Sequence, residues 1–211
     1  MDDIDAVIFD FAGVLSTSPT AGMAQRAEAF GVDLATFLPV VMGPLDVDGD
    51  HPYHELERGV ISMDEYDAAL EPQLRELGVT EFPGIPRGDE LLAMIEPVEE
   101  MLDAARAARA AGHRTAIVTN NTREWGGWRA AWGADDLVDV VIDSSEVGLR
   151  KPDPAIFELT LERLGGPAPE RTLYLDDFPW NIAAGEALGF ETMLVTDPVA
   201  AASALLERLG V

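Results

Sequence analysis

Five short apolar runs, each about a strand long and lacking polar alternation, constrain this chain more than any other feature. They are Ala6 to Phe9, Thr115 to Val118, Leu137 to Ile142 (interrupted only by Asp139), Thr172 to Leu175 and Thr192 to Val195. A strand apolar on both faces is buried on both faces, the situation of a parallel sheet covered by helices. The intervals supply those helices. Pro97 stands at a first helical position, Glu99 and Glu100 follow in the opening turn, and Val98, Met101, Leu102, Ala105 and Ala108 trace one face up to Gly112. Asp153 and Pro154 open a second helix, with Ile156, Phe157, Thr160, Leu161 and Leu164 inward and Gly165-Gly166 closing it. Two more run from Pro179 to Leu188 and from Pro198 to Leu209. The alternation implies an α/β fold: a Rossmann-like parallel sheet with helices on both faces and right-handed crossovers.

One interval breaks the rhythm. Residues 16–96 carry helical patches at Met23–Phe30, His54–Glu57, Met63–Leu77 and Asp89–Ile95, separated by turn residues. They read as a helical cap inserted into a core of residues 1–15 and 97–211, a division that the 211-residue length accommodates.

Composition narrows the function by exclusion. Fourteen basic against 39 acidic side chains give a formal charge of −25, which repels nucleic-acid phosphates and anionic membranes. The acids are scattered through helices, as a solvated coat would be. With no cysteine there is no disulfide, thiolate metal site or cysteine nucleophile. The opening MDDIDAVIFD has acids where a signal peptide needs basic residues, and no apolar run approaches the ~20 residues of a membrane span. A cytoplasmic protein is expected.

Ligands of such sheets sit at the carboxyl ends of the strands. There the chain places Asp10 after the first run, Thr119-Asn120 after the second, Lys151 in the loop after the third, and Asp176-Asp177 after the fourth. Each alone is an ordinary turn or cap residue. Together, in this order, they form a candidate reaction centre.

In this set the sequence resembles the haloacid dehalogenase-like (HAD) superfamily, through Asp10-Phe11-Ala12-Gly13-Val14-Leu15, Thr119-Asn120, Lys151 in GLRKPDP, and Asp176-Asp177. PDPAIFELTLERLG, NIAAGEALGF and, in the insertion, HELERGVIS are similar to the branch holding the phosphatase-like N-terminal domain of soluble epoxide hydrolases. The resemblance implies a Mg²⁺-dependent phosphatase acting on a small phosphorylated metabolite. Asp10 would be the nucleophile, forming an aspartyl-phosphate. Asp10, the backbone carbonyl of Ala12 and Asp177 would hold the ion, with Asp176 behind them. Thr119 and the amides around Asn120 would bind phosphate oxygens, and Lys151 would offset the remaining charge.

The chain departs from that pattern at Ala12, where the family usually carries a second aspartate that protonates the leaving oxygen and then activates water. General acid–base help is worth roughly 10²–10⁴-fold. The resemblance therefore implies first a weak or selective phosphatase. The alternatives are a non-hydrolytic member that binds a phosphorylated ligand or a protein partner, and a metal-independent 2-haloacid dehalogenase. The last suffers from two carboxylates crowding Asp10 without a cation among them.

His51 and His54, in DVDGDHPYHELERG, are candidates to replace the missing acid, although a helix-opening turn accounts for them as well. Asp46, Asp48, Asp50 and Glu57 have calcium-loop spacing, but His51 stands where the required turn glycine belongs. Asn120-Asn121-Thr122 matches a glycosylation sequon at what reads as a strand end. Trp125, Trp128 and Trp132 recur at helical spacing and are expected to form a buried face.

Overall fold

The computed structural model describes residues 3–18, 20–84, 86, 87, 90, 93–125 and 127–211. Five strands, β1 (Ala6–Phe9), β2 (Arg114–Thr119), β3 (Val140–Asp143), β4 (Thr172–Asp176) and β5 (Glu191–Leu194), form one sheet in the order β3-β2-β1-β4-β5. Every pairing is parallel. Side chains along β1 alternate between two buried cores: Val7 and Phe9 enter one, Ala6 and Ile8 the other. That is why β1 is apolar at every position. It is also the central strand, so Asp10, its next residue, sits mid-edge.

Helices α1 (Thr20–Ala29), α2 (Leu34–Val41), α3 (Pro52–Glu57) and α4 (Met63–Glu76) follow β1. They enclose a third core of their own, including Phe37, Leu56, Met63, Tyr66, Leu70 and Leu74. Where the chain leaves for this insertion and where it returns, its two limbs are stitched together. Thr17 N–H donates to Glu96 O (2.8 Å) and Val98 N–H to Leu15 O (3.0 Å). Helices α5 (Glu99–Ala110), α6 (Trp128–Trp132), α7 (Ala134–Leu137), α8 (Ser144–Val147), α9 (Pro154–Arg163), α10 (Pro179–Ala187) and α11 (Pro198–Leu209) complete the fold.

The differences from the sequence reading have local causes. α5 begins at Glu99 because Pro97 is engaged in a bridge with Ser16, leaving Val98 as the cap. Leu137 ends a short helix, and β3 starts only at Val140. The intervening Asp139 carboxylate accepts the Thr115 N–H (2.9 Å), a donor that a longer strand would need for its ladder. α2 escaped detection because LATFLPVV is apolar nearly throughout and contains Pro39, which reads as a helix breaker. Of the expected patch Asp89–Ile95, Asp89, Leu91 and Leu92 lie outside the described residues. Trp128 is buried, with Trp125 and Trp132 packed against the same core; Trp125 ends a separate 3-10 turn, Arg123–Trp125, so the three do not share the one helical face that the spacing implied. Phe11 packs against Trp128 and Trp132, at ring separations of 4.5 and 4.9 Å, anchoring the loop after β1. No helix among the described residues is long and apolar enough to cross a membrane.

Candidate active site

The parallel register brings Asp10, Asp176 and Asp177 together: one carboxylate oxygen from each lies within 4.8 Å of the others. Lys151 Nζ sits between two of them, 2.7 Å from Asp10 Oδ1 and 2.7 Å from Asp176 Oδ2. Lys151 is the only lysine in the chain, and it is 2% exposed. A lone lysine spent on a buried position marks the site more sharply than the acids do, and counting lysines would have found it.

The two aspartates of the pair have different surroundings. Asp176 is saturated: besides Lys151 it accepts from Tyr174 Oη–H, from Phe178 N–H (2.8 Å) and from Asn181 Nδ2–H (3.0 and 3.2 Å). Asp177 has a buried Oδ1 with no hydrogen-bond partner. Burial first, and then the charge of Asp176, push the Asp177 carboxyl up to about 6. Burial likewise raises Asp10 well above the usual carboxylate range, against the pull of Lys151. Burial works against the Lys151 ammonium, but Asp10 and Asp176 more than offset it and hold the lysine charged.

The Asp10 carboxylate is oriented by its own loop: Phe11 N–H donates to Asp10 Oδ1 (2.6 Å). The loop turns at Gly13, where φ is +86° and a Cβ would fall 2.3 Å from Asp177 Oδ2. Glycine is required there twice over, for the left-handed backbone and for the approach of Asp177. Ala12 lies between, half-buried, its side chain a methyl group.

Thr119, at the end of β2, is buried, and its hydroxyl has only a long contact to Asn120 O (3.4 Å). The Asn120 side chain is engaged with the lysine loop. Its Nδ2–H donates to Lys151 O (3.0 Å) and its Oδ1 accepts Lys151 N–H (2.8 Å). The side-chain amide thus clamps the lysine's backbone, leaving the Asn120 N–H as the group it could offer a ligand.

A second layer was not legible in sequence. Asp143, ending β3, accepts from Asn121 Nδ2–H (2.6 Å), Trp128 Nε1–H (3.0 Å) and Ser145 (2.7 and 3.0 Å), fixing the loop after Thr119. Arg150, beside Lys151, is 1% exposed, and its Nε–H donates to Glu57 Oε2 of α3 (2.7 Å). Ser144 Oγ–H reaches Glu57 O (2.6 Å) and in turn accepts Asn121 N–H (2.8 Å). The end of α3 is therefore bolted to both the lysine loop and the Asn120-Asn121 loop.

His51 and His54 use their Nδ1 atoms within the insertion. His51 caps α3, accepting Tyr53 N–H (3.1 Å), and His54 accepts Gly49 N–H (3.1 Å) at Nδ1. Burial and the neighbouring Arg150 lower His54 to about 4, so it is neutral at pH 7. Asp48, from the calcium-like spacing, pairs with Arg58, and Glu57 with Arg150. An open hollow of about 790 Å³ lies in the insertion, lined by Phe30, Val79 and Phe82 among others, and includes none of the site residues.

The chain resembles known proteins over nearly its whole length. It is 28% identical over 215 residues to mouse bifunctional epoxide hydrolase 2, covering 96% of this chain but 38% of that protein. It is 26% identical to the sesquiterpene phosphatase AstK of Aspergillus oryzae, covering 97% and 96%. The chain thus spans under two-fifths of the length of the first curated relatives it matches, and almost all of AstK. A HAD-like hydrolase from Porphyromonas gingivalis shares the fold at 24% identity and TM-score 0.70, covering 98% of this chain and 99% of that one. A HAD family enzyme of Bacteroides thetaiotaomicron, solved with magnesium and inorganic phosphate, does so at 17% and 0.64, covering 92% and 96%. Solved dehalogenases have the same fold, at TM-scores of 0.65 and 0.66. The haloacid dehalogenase-like hydrolase model matches residues 4–189, and the chain belongs to that family of hydrolases.

Proposed function

We propose that the chain is a Mg²⁺-dependent phosphatase that hydrolyses a small phosphate monoester through phosphorylation of Asp10. The observation that carries this reading is the charge and bonding deficit of the site. Three ionisable carboxylates converge on a single lysine, and Asp177 Oδ1 is buried without a partner. A divalent, oxygen-seeking cation answers both deficits. Asp10, the Ala12 carbonyl and Asp177 would hold it, while Asp176 keeps its four donors and acts from behind. Such an ion supplies the neutralisation that lets an anionic nucleophile approach a phosphate. Magnesium and phosphate in the Bacteroides enzyme, and the phosphatase activity named for AstK, support the reading.

Asp10 Oδ attacks phosphorus from its position against Lys151, whose charge offsets the growing charge on the transferred group. The Thr119 hydroxyl and the Asn120 N–H bind phosphate oxygens, the Asn121 and Thr122 N–H groups being held by Ser144 Oγ and Asn121 Oδ1. Residues 16–96 act as the cap that excludes water during transfer. Ala12 neither donates a proton to the leaving oxygen nor activates water, so the enzyme favours esters whose leaving groups depart unprotonated. Breakdown of phosphorylated Asp10 then limits the rate.

The test is p-nitrophenyl phosphate hydrolysis with Mg²⁺ and with a chelator, for the wild type, Asp10→Asn and Ala12→Asp. The expected outcome is metal-dependent turnover with an initial burst approaching one p-nitrophenolate per chain, both lost in Asp10→Asn. Ala12→Asp should abolish the burst and raise the steady rate. Turnover in Ala12→Asp alone would make the natural chain a phosphate-binding protein. Metal-independent chloride release from a 2-haloacid would replace the phosphatase reading outright.

A further inference from the structure

We infer that the substrate's organic group is an aromatic ring bearing its phosphate on a phenolic oxygen, and that Phe178 and Trp180 form the platform on which that ring stacks. This deepens the phosphatase reading and rests on it. Every other Phe, Trp and Tyr side chain in the protein belongs to, or packs against, one of the three hydrophobic cores. Phe178 and Trp180 belong to none. They are half-buried and stacked on each other, with ring centroids 4.7 Å apart and planes inclined by 17°. Two large half-buried rings stacked together outside every core make a contiguous apolar patch, the kind of surface that marks ligand-binding sites.

Their place in the chain says what. Phe178 follows Asp177 directly, and its N–H donates to Asp176 Oδ1 (2.8 Å), which ties its backbone to the carboxylate cluster. Trp180 lies in the first turn of α10, which begins at Pro179. The platform therefore stands at the same sheet edge as the nucleophile. A flat ring added to an offset pair gains stacking as well as burial.

The leaving group gives an independent argument. With a methyl group at Ala12, the ester oxygen must depart as an anion. A phenol ionises near 10, as tyrosine does, whereas an alkyl alcohol resembles water at about 15.7. Attack by Asp10 Oδ forms the new O–P bond as the P–O(aryl) bond breaks, and the electron pair leaves on the phenolate, which takes its proton from solvent. Water then cleaves phosphorylated Asp10, so the sum is aryl phosphate plus water giving phenol plus inorganic phosphate. Leaving-group chemistry and the rings favour the same substrate class.

Binding tests this separately from turnover. Calorimetry in Mg²⁺ compares phenylphosphonate with methylphosphonate, for the wild type, Phe178→Leu and Trp180→Leu. Both positions lie outside the cores, so the variants should fold. Wild type should bind the phenyl compound at least about tenfold more tightly, the scale of one ring contact. That ratio should fall toward one in either variant. Equal affinities in the wild type, or a ratio unchanged by both substitutions, overturns the inference. If acetyl phosphate, which has a good leaving group but no ring, is hydrolysed in an Asp10-dependent way without any ring preference, the phosphatase reading stands and only the platform falls. If neither phosphonate binds and no ester turns over, both fall.

Discussion

Replacing Glu57 tests how the helical insertion is joined to the sheet. In the folded protein Arg150 is 1% exposed and Glu57 4%. The guanidinium has the Glu57 bond at 2.7 Å, the Val47 carbonyl at 3.0 Å and an Asp48 oxygen at 3.6 Å. Asp48 is already paired with Arg58. Glu57→Ala leaves a buried cation with one carbonyl and a shared, distant carboxylate. Stranding one partner of a buried pair costs roughly 3–5 kcal/mol, and the residual Asp48 contact puts the expected loss near the lower figure, about 3 kcal/mol. Typical domains have only ~5–15 kcal/mol in all. Urea unfolding followed by two probes reads the effect. All four tryptophans lie outside residues 16–96, so fluorescence reports the sheet-and-helix core while far-ultraviolet dichroism reports the whole chain. Glu57→Ala should lower both midpoints and separate them, the dichroism change running ahead as the insertion loosens. Glu57→Leu with Arg150→Met should recover most of the loss, because well-packed apolar replacements of buried pairs are often neutral or better. A Glu57→Ala cost below ~1 kcal/mol, with the two transitions still coincident, would refute the claim that this pair joins the two parts.

Two further outcomes follow from the geometry. Gly13→Ala should cost ~1–2 kcal/mol of backbone strain and displace Asp177, whose Oδ2 lies 2.3 Å from the added Cβ; Mg²⁺ titration should then show weaker binding, and unchanged affinity would contradict the assignment of Asp177. His54 is lowered to about 4 in the folded state against 6.5 when unfolded. Below pH 6.5 the unfolded chain binds a proton that the folded chain refuses, so this histidine's contribution to stability is intact above 6.5 and drains away as pH falls toward 4. The full difference is about 3 kcal/mol, measurable as a pH-dependent urea midpoint. His54→Asn, which retains an acceptor for Gly49 N–H, should flatten that slope.

Residue type and order alone carried the parallel α/β sheet, the family resemblance and the four strand-end positions. The physical reason is that a strand buried on both faces must be apolar at every step, so the first polar residue after it is exposed to scrutiny. The burial expected of Trp125, Trp128 and Trp132 holds, but not as one helical face, because the chain breaks between Trp125 and Trp128. The insertion was less legible. α2 is too uniformly apolar, with a proline inside, for periodicity to announce it.

Tertiary structure decided how those strand-end residues divide the work. Nothing in the dipeptide Asp176-Asp177 says that one carboxylate is saturated by Tyr174, Phe178, Asn181 and Lys151 while the other has an unpartnered oxygen. Sequence likewise could not reveal that Asn120 spends its side chain on the Lys151 backbone, or that Glu57 reaches across 93 positions to Arg150. Which residue is apolar is a local property that a linear pattern records. Which hydrogen bond is satisfied depends on partners brought together by burial, and only the folded chain contains them.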